Sequence, residues 1–355
     1  MTSSQPPSER PTQPPTRPST FVARTPTDLI AIVPVVLGFH PRESVVLLTF
    51  GTPGAAFHAR VDLPVGRAEQ EEVADVLVRA VVANHAERVA VLLYTDDEEV
   101  AHTQFDLLLG RLLDRRVEVI DVLRIDDARW HSLPEDGSAG TPYDLDAHPF
   151  TAQGVFDGQV VHRDREELAD TLVGTDEEDA VEVALAATRF ADLTTASSPH
   201  EPGSAYLRAE ARWLQRRIRA FVEDRRAMQP ADAGRLLVLA SLVPTRDVAW
   251  AEITRTSSGS HVELWRRLVQ RAPRDLLPGA CSLLAFAAWQ HGDGALAWCA
   301  IDRCLEVDPD YSMAHCIAQV LTGAVPPGVW EPISEDELPV FADDTAPGQG
   351  SSRAS

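Results

Sequence analysis

The chain has 355 residues, of which 44% are hydrophobic, and a formal net charge of -22. This length and apolar content are enough for two domains that each bury a core, which excludes a chain disordered throughout. The acidic balance argues against nonspecific nucleic-acid binding by the whole molecule, because phosphate contacts depend on clustered Arg and Lys. Since no run of about 20 apolar residues and no signal-like start occur, we expect a cytoplasmic protein without membrane contact.

Two residue types limit the chemistry. The sequence contains no lysine, so all 32 basic residues are arginine, which excludes a Walker A phosphate loop and a Schiff-base enzyme. The four cysteines lack the C-x-x-C spacing of zinc and redox sites. We therefore expect the cysteines to be small core residues on helices.

Both ends of the chain have the composition of disordered tails. Residues 1–26 are rich in Pro, Ser and Thr, and residues 331–355 combine acidic residues with Pro and Gly. Such segments bury too little apolar surface to offset the entropy lost on ordering. We predict a disordered tail at each end.

The segment 27–175 has the pattern of an α/β domain. Its predicted elements are a helix at 28–37, a hairpin of strands at 44–50 and 57–63, a helix at 69–86, a strand at 89–94, a helix at 98–114 and a strand at 117–125. Strands that alternate with helices of this length indicate parallel βαβ units. The pattern predicts a three-layer α/β sandwich with a mainly parallel sheet.

The segment 176–330 has helical periodicity only. Its predicted helices are 177–193, 205–227, 231–242, 246–254, 261–272, 278–291, 295–307 and 311–321. We expect an all-helical domain, with a Ser, Thr and Pro-rich bend at 194–203.

Long stretches of the chain resemble a known family. They are DLIAIVPVVLGFHPRESVVLLTF, RDREELADTLVG, RDVAWAEI and LWRRLVQRAPRDLLPGACSLLAFAAWQHGDGALAWCAIDRCLEVDPDYSMAHCIAQVLTGAVPPGVW. Together they resemble the DUF4192 family, an actinobacterial domain of unknown function, over about residues 26 to 331. The resemblance implies a cytoplasmic actinobacterial protein. It implies no activity, cofactor or catalytic residue.

The last of these stretches is also similar to a tetratricopeptide helix pair. Gly292, Asp293 and Gly294 form a turn, and Asp308-Pro309 closes the following helix. About three such repeats are needed for a concave groove, and about one and a half are visible, so an ordinary helical hairpin is the alternative. Trp298 and Tyr311 are candidate partner-binding residues of this pair.

Acidic residues follow two strands of the predicted sheet. Asp96 comes after the strand at 89–94, and Asp126 follows the strand at 117–125. If these strands are neighbours, the two carboxylates are candidates for holding a divalent cation or sharing a proton. His131 belongs to a polar cluster on the next loop and is a third candidate catalytic residue. The alternative is a capping box, in which Thr95 or Asp96 and a later Glu satisfy backbone N–H groups.

An arginine-rich helix supplies the remaining candidates. Arg212, Arg216 and Arg219 accompany an apolar stripe of helical spacing. These arginines are candidate contacts for an acidic partner, and a solvated helix face is the alternative interpretation.

These observations support three hypotheses. The first is a non-catalytic protein whose helical half binds a partner, while the α/β half binds a small ligand or serves as a scaffold. The second is a metal-assisted hydrolase or transferase that uses Asp96 and Asp126. The third is nucleic-acid contact through the arginine-rich helix.

Overall fold

The computed structural model describes residues 22–52, 57–133, 139–197 and 205–342. The predicted amino-terminal tail therefore lies outside the described residues up to residue 21. Helix α1 (Pro26–Leu37) begins at Thr25, whose Oγ1 accepts a hydrogen bond from the Asp28 N–H while the Asp28 carboxylate accepts one from the Thr25 N–H. This reciprocal pair satisfies free N–H groups of the first turn. The helix ends at Gly38, whose φ of 78° is left-handed.

A six-stranded sheet forms the centre of the amino-terminal half. Its strands are β1 (Ser44–Phe50), β2 (His58–Asp62), β3 (Arg88–Tyr94), β4 (Glu118–Ile125), β5 (Arg129–Ser132) and β6 (Thr141–Pro142), in the order β2-β1-β3-β4-β5-β6. Within the described residues, only β3 and β4 pair in parallel, and the other four neighbouring pairs are antiparallel. The prediction of a mainly parallel sheet is therefore wrong.

The position of β1 explains the error. Helix α2 (Arg67–Ala83) does connect β2 to β3, as in a βαβ unit. However, β1 lies between β2 and β3 and pairs antiparallel with both, so the two connected strands are not neighbours. Helix α3 (Glu98–Asp114) forms the one crossover that joins adjacent parallel strands, β3 and β4. The alternation of helices and strands does not show whether a third strand lies between two connected ones.

Side chains of β1 and β3 alternate between two apolar clusters, as expected for a period of two. Val45, Leu47 and Val91 pack in one cluster with residues of α2 and α3. Val46 and Leu92 pack in the other with residues of α1. Both faces of these central strands are therefore covered by helices, which explains their continuous apolar sequence.

Two short helices follow the sheet, α4 (Pro149–Phe156) and α5 (Arg165–Asp170). Leu168 and Leu172 are buried in the same core cluster as the helices of the carboxy-terminal half, and Phe39, which lies between α1 and β1, belongs to that cluster as well. The backbone of Phe39 also forms a β-bridge with His162. These residues connect the two halves of the chain.

The carboxy-terminal half is helical, as predicted. Its helices are α6 (Glu177–Ser197), α7 (Ala205–Asp224), α8 (Pro230–Ser241), α9 (Val243–Ala251), α10 (Ser258–Val269), α11 (Leu277–His291), α12 (Gly294–Leu305) and α13 (Ser312–Thr322). Every residue of α11 except His291 is buried, and α8, α10 and α12 pack around it. In the described part of the chain, no helix is long and apolar enough to cross a membrane.

The prediction of a disordered tail from residue 331 is wrong for the segment 331–342, which is folded. It contains two 3₁₀ turns, Glu335–Glu337 and Pro339–Phe341, and it buries Leu338 and Val340 in the core of the helical half. Residues 343–355 lie outside the described residues. The acidic and Pro-rich composition of the whole tail obscured a short apolar stretch, residues 338–341, that packs against the helical core.

Candidate functional site

Asp126 lies directly after β4, in the tight turn that leads into β5. Its Oδ1 accepts hydrogen bonds from the N–H groups of Ala128, at 3.0 Å, and Arg129, at 2.7 Å. Its Oδ2 lies 3.1 Å from Nε2 of His131, which is placed beside it by the antiparallel pairing of β4 and β5. The turn therefore fixes the orientation of the carboxylate, and the carboxylate orients the imidazole.

The surroundings of Asp126 favour its ionised form. Partial burial raises the pKa of this carboxyl, but hydrogen bonds from the Ala128 and Arg129 N–H groups and from His131 outweigh burial and hold the pKa below its usual value. The Tyr143 hydroxyl donates a hydrogen bond of 3.0 Å to the Asp126 backbone carbonyl. Burial, with the nearby charges of Asp126 and Asp127, raises the pKa of Tyr143.

A buried arginine joins Asp126 to the end of β3. Arg124 is only 8% exposed, and its Nη1 lies 3.8 Å from Asp126 Oδ2 and donates to the Thr95 carbonyl at 3.4 Å. The Thr95 hydroxyl in turn donates to Glu43 Oε2 at 2.7 Å. The carboxyl ends of β3 and β4 thus carry a connected polar row, Glu43, Thr95, Arg124 and Asp126, in which each charged group has a partner.

Asp96 does not take part in this row. Its side chain is exposed, and no hydrogen bond or ion pair connects it to Asp126 among the described residues. The cap of α3 is the neighbouring Asp97, whose Oδ1 accepts from the Val100 N–H at 3.0 Å. In the described part of the chain, no group of three or more His, Cys, Asp or Glu side chains is placed to hold a metal ion. Both oxygens of Asp126 are already engaged, and the adjacent Arg124 cation opposes a second positive charge there.

The arginine-rich helix is α7, and most of its arginines have acidic partners. Arg219 forms two hydrogen bonds of 2.7 Å with the Glu252 carboxylate, and Arg217 lies 2.8 Å from Asp232. Arg212 forms an ion pair with Glu335, and Gln215 donates to the same carboxylate at 3.1 Å. Arg216 is exposed and has no ion pair among the described residues. The face of α7 is thus occupied mainly by acids of the same chain.

One of these acids belongs to the carboxy-terminal segment. The Arg212 guanidinium carbon lies 4.0 Å from the centre of the Phe341 ring. Arg208 donates hydrogen bonds to the backbone carbonyls of Val340, at 3.3 Å, and Ala342, at 3.1 Å. Helix α7 therefore holds residues 335–342 through a carboxylate, an aromatic ring and main-chain carbonyls at once.

A family model described as a domain of unknown function (DUF4192) matches residues 26–328, which is most of the chain. The chain belongs to the DUF4192 family. The comparisons found neither a curated protein nor a solved structure that matches it. The matched region of this DUF4192 member includes Asp126, His131 and α7, and it ends before the segment 331–342.

The two aromatic candidates of the DUF4192 chain contact its own helical half. Trp298 on α12 is half-buried against the helical core. Tyr311 precedes α13, and its hydroxyl accepts a hydrogen bond of 3.2 Å from Arg246 Nη1. Neither ring presents its full surface to solvent.

Two features of this DUF4192 member were not predicted from the sequence. An open cavity of about 760 Å³ is bounded by residues after α5, by the start of α6 and by the end of α10; its charged lining residues include Asp176, Asp179, Arg267 and Arg271. Arg271 spans the cavity wall with hydrogen bonds of 2.5 and 2.7 Å to Asp179. The second feature is the docked segment 331–342, for which the apolar residues 338–341 were the available signal.

Proposed function

We propose that this protein is a non-catalytic cytoplasmic partner-binding protein, in which α7 and its neighbouring helices bind a segment of another protein. In this proposal the α/β half serves as a scaffold or binds a small ligand. The cytoplasmic, actinobacterial setting implied by the family resemblance is part of the proposal. The supporting observation is that α7 already holds an acidic peptide segment, residues 335–342 of its own chain.

The charge distribution supports a protein partner over nucleic acid. The whole chain carries a net charge of -22, which repels a polyanion, whereas an acidic peptide needs only a few local arginines. Arginine binds carboxylates through a planar fork of donors and also stacks on aromatic rings. Arg212 makes both kinds of contact with the docked segment. Its surroundings are therefore suited to a peptide that carries acidic and aromatic side chains.

A selection from a displayed library of random 16-residue peptides tests the proposal. We expect peptides that bind a Leu338→Asp/Val340→Asp chain, in which residues 335–342 no longer occupy α7, and that lose binding when Arg212→Glu/Arg219→Glu is added. An Arg115→Glu/Arg116→Glu variant, altered after α3, is the charge-matched control and should keep the binding. If no enriched peptide depends on the α7 arginines, the proposed function is wrong.

The alternative function is a hydrolase or transferase with its site at the carboxyl ends of β3 and β4. The observation that favours it is the contact between Asp126 and His131, since a carboxylate that orients an imidazole is a common acid–base arrangement. A thermal-shift screen against divalent metals, nucleotides and metabolites tests this alternative, because a ligand of the native state raises its stability. A shift that disappears in an Asp96→Ala/Asp126→Ala variant would indicate a ligand at these strand ends, and conversion of that ligand by the native chain but not by the variant would support the enzyme over the partner-binding protein.

A further inference from the structure

The chain from Trp330 to Ala342 is held by apolar anchors at two places. Leu338 and Val340 are 3% and 0% exposed and belong to the core of the helical half. Before them, the Trp330 ring stacks on Trp250 of α9 with a centroid distance of 5.1 Å. Between the two anchors, Glu331, Pro332 and residues 334–337 are exposed, whereas Ile333 is partly buried against the helical core. Residues 334–341 are thus a linear peptide joined to the rest of the chain by a short, largely exposed connection.

The polar contacts of the segment resemble those of a bound peptide. Arg212 and Gln215 contact the Glu335 carboxylate, Arg208 contacts two backbone carbonyls, and Arg212 covers the Phe341 ring. Contacts with a carboxylate and an aromatic ring of a peptide discriminate between its side chains. Contacts with its backbone carbonyls fix the direction of its main chain. Within residues 334–341 the chain forms two 3₁₀ turns and no α-helix or strand. The contacts with α7 and α9, more than regular structure of its own, therefore determine its conformation.

We propose that the surface of α7 and α9 beneath this segment is a peptide-binding groove whose intramolecular competitor is residues 334–341. The external ligand is a linear segment of another protein in which acidic residues precede an aliphatic and aromatic stretch, as in SEDELPVF. This inference rests on the proposed function and names its partner and its regulation. The groove residues Arg208, Arg212 and Gln215 lie inside the region matched by the DUF4192 model, whereas the competitor lies beyond it.

Tethering makes the intramolecular competitor effective. A segment joined to its groove by a short linker has an effective concentration on the order of millimolar. An external peptide with the same contacts must therefore reach similar concentrations before it replaces residues 334–341. Displacement of the tethered segment should increase the apparent affinity for an external peptide by about 100-fold.

The test uses a fluorescein-labelled peptide with the sequence of residues 329–342, VWEPISEDELPVFA, and measures its anisotropy with the full chain. A Leu338→Asp/Val340→Asp variant places charges at two buried positions and should release the tethered segment. We expect this variant to bind the probe about 100-fold more tightly than the native chain. Adding Arg212→Ala to the variant should weaken binding about fivefold, and adding Arg216→Ala should leave it unchanged. Equal binding by the native chain and the released variant would overturn the inference, as would no binding by a released variant that keeps its native circular dichroism.

A milder variant tests the inference if the double substitution unfolds the helical half. Glu335→Arg places a second cation beside Arg212 and leaves Leu338 and Val340 in place. We expect it to bind the probe more tightly than the native chain, by about tenfold, with the circular dichroism spectrum of the native chain. Binding no tighter than that of the native chain would overturn the inference.

Two further outcomes separate this inference from the proposed function. The peptide selection could return ligands that depend on Arg212 but are basic, or that bind the native chain and the released variant equally. In either case the proposed function is supported, and the inference that residues 334–341 compete for the groove is wrong. Light scattering of the native chain should give a monomer. A dimer that becomes monomeric in the released variant would overturn the inference, because the groove would then hold the segment of a second copy.

Discussion

The guanidinium of Arg212 covers the ring of Phe341, with 4.0 Å between the guanidinium carbon and the ring centre. The two residues are far apart in sequence, and Arg212 also forms an ion pair with Glu335. Arginine suits this double contact better than lysine, because its planar guanidinium can bind a carboxylate and stack on a ring at the same time. Arg212 therefore makes two different side-chain contacts with the carboxy-terminal segment.

Arg212→Ala should loosen the segment 335–341 without unfolding the chain. The lost ion pair is half-exposed and contributes little, and the contact with the ring contributes about as much, so the total is about 1 kcal/mol. Hydrogen exchange of the amides in this segment should become about fivefold faster. Arg216→Ala, on the same helix, is the control and should leave exchange unchanged. Equal effects of the two substitutions would mean that Arg212 does not hold the segment.

Val340→Ala should lower the free energy of unfolding by about 1–3 kcal/mol, because it removes methyl groups from a fully buried site. Val329→Ala is a matched control, since Val329 is 61% exposed and should change the free energy by less than about 0.5 kcal/mol. Urea denaturation followed by circular dichroism measures both. Similar small effects would show that the segment is not part of the folded core.

His261 should make the protein less stable in mild acid. Its side chain is 1% exposed, and burial lowers its pKa from 6.5 to about 4, although nearby Glu252 opposes this effect. The unfolded chain therefore takes up a proton as the pH falls below 6.5, while the native state takes it up only near pH 4. The free energy of unfolding should decrease by about 3 kcal/mol over this interval and be unaffected by His261 above it. Denaturation of the native chain and of His261→Gln from pH 8 to pH 4 measures the difference. A His261→Gln chain that loses as much stability as the native chain would contradict the prediction.

Asp126 and Asp96 should differ sharply when each is replaced by alanine. Asp126→Ala removes two hydrogen bonds from backbone N–H groups and leaves Arg124 with one charged neighbour fewer. We expect a loss of about 2 kcal/mol in the free energy of unfolding. Asp96→Ala should be neutral within about 0.5 kcal/mol, because the side chain is exposed. Equal losses for both variants would instead support a shared site at the ends of β3 and β4.

Two helical glycines should respond in opposite directions to alanine. A Cβ at Gly279 of α11 would lie 2.3 Å from the backbone oxygen of Ala240, so Gly279→Ala should destabilise the helical half by about 1–3 kcal/mol. A Cβ at Gly110 of α3 meets no atom within 4 Å, so Gly110→Ala should stabilise the protein by about 0.5–1 kcal/mol. Melting temperatures of the two variants should move in opposite directions from that of the native chain.

Elements with their own periodic pattern could be predicted from the sequence, and relations between elements could not. The strand at 44–50 and the helices at 98–114 and 278–291 agree with β1, α3 and α11 to within a residue or so. Their apolar spacing and caps are local properties of the chain. The insertion of β1 between β2 and β3 depends on which edges meet after collapse, and no local pattern records that choice.

The candidate site, too, could be predicted from the sequence only in part. The sequence correctly placed polar residues at the carboxyl ends of β3 and β4, because strand ends can be recognised. It could not show that Asp126 pairs with His131 and Arg124 rather than with Asp96. It also could not show that Arg212 of α7 pairs with Glu335 near the end of the chain, since that contact joins residues more than a hundred positions apart.

The burial of α11 has a consequence for synthesis of the chain. A helix without a polar face is insoluble by itself, and the helices that cover α11 lie on both sides of it in sequence, with α8 and α10 before it and α12 after it. During translation the covering surface is incomplete until α12 has left the ribosome. Fragments that stop between residues 292 and 305 should therefore aggregate or be captured by chaperones, whereas chains that extend past α12 should escape.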